Sequence, residues 1–196
     1  MAEHRWHFNA SGTSLVRSFL LALALFAGTL ALGMQTPPGE STDLLEQVGE
    51  VVSPLQDIHP LGLLIIIFLN NSIKSFAAML LGIFLGLPPF LFIVLNGLVI
   101  GVLISGLVET AGYTVVVASL APHGVIEIPL VLVSSAIGFM LGLESLRWLT
   151  GRESQLKARL TNGLKIYLRW ILPGLALAAA IEVYLTPLIV RVIEGS

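Results

Sequence analysis

Cysteine is absent from this chain of 196 residues, and charged side chains make up only 11% of it, against about 25% in an ordinary soluble domain. The first absence excludes disulfides, thiolate metal ligands, CxxC redox chemistry and a cysteine nucleophile. The second, with 56% hydrophobic residues and a mean hydropathy of +0.93, excludes a water-soluble globule. Basic excess is also missing: 10 Lys+Arg face 12 Asp+Glu, a formal net charge of −2, so no positive field exists to hold nucleic acid. GxSxG, HExxH and P-loop patterns do not occur, which leaves no recognisable nucleophilic or phosphate-transfer chemistry. No cofactor is implied, and the reading is non-enzymatic.

What is present in quantity is long apolar runs. A membrane-crossing helix needs about 20 mostly apolar residues, and five runs meet that requirement: residues 15–34, 61–87, 88–108, 125–146 and 166–190. The expected fold is all-α, a single integral membrane domain over residues 1–196 built as a bundle of five spans. Gly112 to Ala121 is apolar but too short to cross, and is read as a short re-entrant or interfacial helix before span four. Ala31-x-Gly33 after the first run also has the form of a signal-peptide cleavage site, although that run exceeds the usual 7–15 apolar residues.

Orientation follows from the basic residues, which accumulate on cytoplasmic loops. Arg5 and Arg17 lie before or in the first turn of span one, and Arg147, Arg152, Lys157, Arg159, Lys165 and Arg169 lie between spans four and five or in the first turn of span five. The segment between spans one and two carries Glu40, Asp43, Glu46, Glu50 and Asp57 without one Lys or Arg. The N-terminus is therefore expected in the cytoplasm and the C-terminus outside, in a multi-pass protein of the cell membrane. The sequon at Asn9 would then be cytoplasmic and the one at Asn70-Asn71-Ser72 buried in a span, so neither suits glycosylation.

Two connecting segments have helical periodicity. From Ser41 to Val52, Leu44, Leu45, Val48 and Val52 share a face, which predicts a short external helix capped by Ser41 or Thr42. Leu156, Leu160, Leu164 and Leu168 recur every four residues among basic neighbours. That helix either lies on an anionic leaflet or folds against the bundle.

Polar groups inside apolar runs carry the functional signal, because an ionisable side chain at the bilayer centre costs at least about 2.5–3.5 kcal/mol. Asn70, Asn71 and Lys74 fall within an arc of about 100° on span two, which predicts a face turned into the bundle or a wet cavity. Asn96 follows on span three. In Pro122-His123-Gly124-Val125-Ile126-Glu127-Ile128-Pro129, Pro122 suits a helix start, His123 and Glu127 share a face, and Pro129 should bend the helix at Val125.

Asn70, Asn71, Lys74, Asn96, His123 and Glu127 thus form the candidate polar core or pathway, with three readings: cross-helix hydrogen bonding, a proton or cation relay, or metal ligation. The last lacks a third ligand, so no metal is implied. Glu182 in span five is deep enough to need a partner, Glu109 sits near the outer end of span three, and Glu144 with Arg147 reads as a weak surface pair. His59, before Pro60, reads as an interfacial residue at a helix start.

Gly82/Gly86, Gly97/Gly101 and Gly138/Gly142 have small-xxx-small spacing, which predicts close packing of spans two, three and four. Gly97, Gly101, Gly124 and Pro129 are the residues expected to shape the backbone and its packing.

Asn70-Asn71, Asn96-Gly97 with Gly101, Pro122-His123-Gly124 with Glu127 and Pro129, and then Gly138 and Gly142 resemble the stage II sporulation protein M family over about Gly62 to Leu146. The resemblance implies a five-span membrane protein that in spore formers works with peptidoglycan-hydrolysing partners during engulfment. It implies shared positions at Asn70, Asn71, Asn96, Gly97, His123, Gly124, Glu127 and Pro129, and no biochemical activity. Members also occur in archaea and in bacteria that make no spores. The expected role is a component of a membrane or envelope-remodelling assembly, with lipid and either a second copy or other membrane proteins as partners. The alternative is a small channel or secondary transporter for a cation, proton or small solute.

Overall fold

The computed structural model describes residues 8–52 and 58–194. Arg5, His4, His7 and Asp57 lie outside them. The described residues form helices and no strand: α1 (Phe8–Gly33), α2 (Pro38–Val52), α3 (Pro60–Leu81), α4 (Leu87–Leu149), α5 (Leu156–Ile166), α6 (Leu172–Ala180) and α7 (Thr186–Glu194). Among the described residues, four helical stretches are long and apolar enough to cross a membrane: Ser14–Gly33, Pro60–Leu81, Leu87–Leu149 and Leu156–Ile193.

The third stretch is folded back on itself. As one straight rod, its 63 residues would reach about 95 Å at 1.5 Å per residue, some three times the hydrocarbon core. Yet the backbone of Gly86 at its start abuts Gly142 near its end, Pro89 touches Gly138, and Asn96 lines the same cavity as Glu127. The reversal falls at Gly112, whose φ of 82° and ψ of 162° break the helix. Only glycine occupies that region of backbone space readily. No neighbour comes within 4 Å of where its Cβ would be, so backbone conformation alone demands the glycine. Two antiparallel arms result, residues 87–111 and 113–149.

This geometry corrects several expected boundaries. Residues 112–121 are no separate re-entrant piece, because the second arm is helical from Tyr113 onward and passes through Pro122 and Pro129 without leaving helical φ/ψ. Prolines within a span can be carried when neighbouring helices and local adjustments cover the freed carbonyls. Span two ends at Leu81 rather than residue 87. Leu85 and Gly86, at φ of 56° and 77°, then turn the chain into Pro88-Pro89, which fill the first turn of α4. The external helix begins at Pro38, so Ser41 lies inside it and is buried. His59 caps α3: its Nδ1 accepts the Leu61 amide at 3.3 Å, with Pro60 in the first helical position.

The last helical stretch runs from Leu156 to Glu194 with two wide π turns, Tyr167–Ile171 and Ile181–Leu185. Each precedes a proline, Pro173 or Pro187, by two residues. A proline crowds the carbonyl four residues back, and the wider turns carry i→i−5 bonds instead, from Leu172 N–H to Tyr167 and from Thr186 N–H to Ile181. Leu156, Leu160 and Leu164 pack against the core cluster of Met79, Ile137, Leu141, Tyr167, Ile171 and Leu175. The basic helix therefore folds against the bundle.

Small residues let the helices approach. A Cβ at Gly82 would collide with the Gly138 backbone, and one at Gly142 with Gly86. Gly97 and Gly101 instead meet α1, at Thr29, Phe26 and Leu30, with Gly33 beside Gly101. Their spacing serves the span-one contact, not the packing among spans two, three and four. Gly124 has only the tip of Ile128 nearby, at 3.6 Å, and Pro129 is exposed.

Glu144 is no surface pair. Its side chain is 3% exposed and accepts from Arg147 Nη1 at 2.9 Å, from the Gln155 amide at 2.8 Å and from Ser154 Oγ at 3.5 Å, with Arg159 Nε at 3.7 Å. Ser154 Oγ also donates to the Glu144 carbonyl at 2.9 Å. One carboxylate thus ties the end of α4 to the start of α5. Sequence spacing exposed only the Arg147 partner, because the others come from the following turn and from α5, ten or more residues away.

Candidate functional site

The ionisable groups of the spans gather where the second arm of α4 faces the second π turn. His123 and Glu127 are four apart on one face of that arm, and helical periodicity alone accounts for it. Glu127 is within electrostatic reach of Glu182 and Lys74, and Glu182 within reach of His123. Glu182 belongs to the π turn Ile181–Leu185, so the widened backbone that accommodates Pro187 also carries the second carboxylate. Such single wide turns are frequent at functional sites.

Glu127 lines a cavity of about 30 Å³ together with Phe26, Asn96, Ile100, Ile128, Val131 and Leu132. That is room for a water molecule or two. Among the described residues Glu127 and Glu182 make no hydrogen bond or ion pair, and the buried Nδ1 of His123 has no partner. Three groups able to hold or pass a proton therefore stand within electrostatic reach of one another with hydrogen-bonding capacity unspent, and one of them, Glu127, borders a small, mostly apolar void. No group of three His, Asp or Glu among the described residues is placed to hold a metal ion.

The amides and the lysine are arranged otherwise than their spacing suggested. Asn96 reaches the cavity but donates back to the Phe92 carbonyl of its own helix at 2.7 Å. Asn70 donates to Asn71 at 3.2 Å, and Asn70 and Lys74 are exposed on the outside of the single chain. Their face is not the packed one, because Ser72, Ser75, Ala78 and Met79 are the residues that α3 buries. Structure thus brings Asn96, His123, Glu127 and Glu182 together, leaves Lys74 at the margin and excludes Asn70 and Asn71.

Cross-helix bonding runs through hydroxyls instead. Tyr167 donates to the Ser72 carbonyl at 2.6 Å and meets Ser75 Oγ at 3.1 Å, while Ser134 donates to the Ser75 carbonyl at 2.7 Å. All four residues are buried, and Phe76 stacks edge-on against Tyr167 at 5.1 Å. Three elements meet at this knot: α3, the second arm of α4 and the first π turn. Pro173, two residues beyond that turn, was the available sequence signal for a local irregularity there.

The family model described as stage II sporulation protein M matches residues 17–187. The chain belongs to the stage II sporulation protein M family. That match takes in all the site residues described above, including Glu182, and extends past the Gly62–Leu146 stretch on which the resemblance rested. The chain is also 33% identical, over 124 residues, to an uncharacterized protein of Methanocaldococcus jannaschii, covering 61% of this chain and 68% of that one. No solved structure matches. Together with its apolar helices, membership of the stage II sporulation protein M family makes this an integral membrane protein.

Proposed function

We propose that this family member is a five-span, multi-pass protein of the cell membrane that acts as a non-enzymatic component of a membrane or envelope-remodelling assembly. The five crossings are α1, α3, the two arms of α4 and the continuous run from α5 to α7. Support for the orientation comes from opposite ends of the bundle: Arg17, Arg147 and Arg159 line one cavity, while α2, with Glu40, Asp43 and Glu46, packs by Ser41 against Gly106 near the far end of the first arm. By the positive-inside rule the arginine end is cytoplasmic, with the N-terminus. Because the chain lacks cysteine, single cysteines at Thr110 and Thr161, probed with an impermeant maleimide in intact cells, read the sidedness directly. Labelling of Thr110→Cys alone is expected.

The observation that carries the assembly reading is the size of the cavity at Glu127, about 30 Å³, which offers no passage for a hydrated ion. Close glycine contacts at Gly82, Gly97, Gly101 and Gly142 suit a rigid body that presents surfaces to other membrane proteins or to a second copy. A second reading, a proton or cation pathway, draws on the grouping of His123, Glu127 and Glu182, since unpaired intramembrane acids commonly mark relays. Proton and monovalent-cation flux into liposomes holding the purified protein tests both. The assembly reading expects flux no greater than in empty liposomes; flux that disappears in Glu127→Gln at equal incorporation would replace it with the relay.

A further inference from the structure

At the arginine end of the bundle lies a second, larger cavity that neither reading uses. Its volume is about 770 Å³, within the roughly 300–1,000 Å³ range of small-molecule sites. Three separate elements build it: Ser14, Arg17 and Ser18 on successive turns of α1, Arg147 at the end of α4, and Arg159 on α5, with Glu153 on the connecting segment. Three guanidiniums thus surround it.

Their charge is only partly spent. Glu144 takes one nitrogen of Arg147 and stands 3.7 Å from Nε of Arg159. Arg159 is 14% exposed, and its buried Nη1 has no hydrogen-bond partner. Arg17 forms no ion pair among the described residues. A buried guanidinium N–H without an acceptor costs free energy, and an anion with several oxygens would supply that acceptor. Glu153 opposes an anion but leaves the cavity with more guanidinium than carboxylate charge.

Depth in the membrane narrows the ligand. Directly after the lining residue Arg147, Trp148 and Leu149 are 68% and 62% exposed. Tryptophans of this kind sit at headgroup level. Planar, multiply donating guanidiniums are suited to phosphate oxygens. We propose that this cavity is a binding site for a phosphate group, held by Arg17, Arg147 and Arg159 with the hydroxyls of Ser14 and Ser18. This goes beyond the assembly reading and stands whether or not the protein assembles or transports.

Thermal unfolding of the full-length protein in neutral detergent, titrated separately with phosphatidylglycerol, diacylglycerol and inorganic phosphate, tests it. A rise in Tm with phosphatidylglycerol but not diacylglycerol or inorganic phosphate assigns the site to a lipid phosphate; a rise with inorganic phosphate as well assigns it to a free one. Arg17→Gln should raise the half-maximal concentration about tenfold, as expected for loss of a charged hydrogen bond, and Lys165→Gln, on the same end but outside the cavity, should leave it unchanged. Arg17 is exposed and forms no ion pair among the described residues, so its variant is expected to fold even where Arg159→Gln does not. No shift with any of the three, an equal shift with diacylglycerol, or equal losses in Arg17→Gln and Lys165→Gln would overturn the proposal.

Discussion

Two glutamates on the same arm of α4, 17 residues apart in sequence, live in opposite circumstances. Glu144 is sealed from solvent and accepts from a guanidinium, a backbone amide and a hydroxyl. Glu127, four to five turns away toward the other end of the bundle, accepts from none of the described residues and borders a void instead. The first is fully committed to holding two elements together, and its removal would strand a buried arginine. The second is committed to nothing in the fold. In a membrane, where an idle ionisable group is costly, a carboxylate without a structural task is the better candidate for a functional one.

The largest expected effect comes from the packing on which both regions depend. Gly142→Leu would drive a side chain into the Gly86 backbone; neither backbone can yield, and monodisperse protein should be nearly absent on size exclusion, a cost above about 3 kcal/mol. Glu144→Ala comes next, at about 3 kcal/mol, because it leaves Arg159 buried without its counter-charge, and denaturation in mild detergent reads it. Gly112→Ala should cost about 1–3 kcal/mol through backbone strain alone, with no steric contribution, since the space around it is open.

Tyr167→Phe, which removes the donor to the Ser72 carbonyl, should cost about 1 kcal/mol, in line with interhelical hydrogen bonds in membranes. Smallest of all, Glu127→Gln should leave Tm within about a degree, since side chains outside structural networks change stability little. A Glu127→Gln loss as large as that of Glu144→Ala would erase the distinction between the two carboxylates.

Much of the architecture was readable without coordinates, and the reasons are physical. Long apolar runs and the prolines at 60, 88 and 89 are local signals of membrane-length helices and of where they start. His123 and Glu127 shared a face by periodicity alone. What stayed hidden depends on which face of a helix meets which neighbour. Asn70 and Lys74 share an arc, but no pattern said that α3 would pack through Ser72 and Ser75 instead. Serines and a tyrosine are compositionally ordinary, so the hydroxyl knot left no mark. Glu182 was singled out by depth, yet its place beside Glu127 and His123 depends on how the last helix lies against α4. Gly112 was one glycine among 19, and only the contacts between the arms identify it as the reversal.

On the five-span topology proposed above, that reversal has a bearing on how the protein enters its membrane. Because a single residue turns the chain, the two arms of α4 are separated by no hydrophilic loop that must be hauled through the hydrocarbon; near the tip only Glu109 carries a charge. Apart from the carbonyls freed by Pro122 and Pro129, each arm satisfies its own backbone groups, so residues 87–149 can leave the insertion machinery as one hairpin, tip first. The contact of Gly142 with Gly86 lies at the base of that hairpin, so it closes last, once both arms are in place.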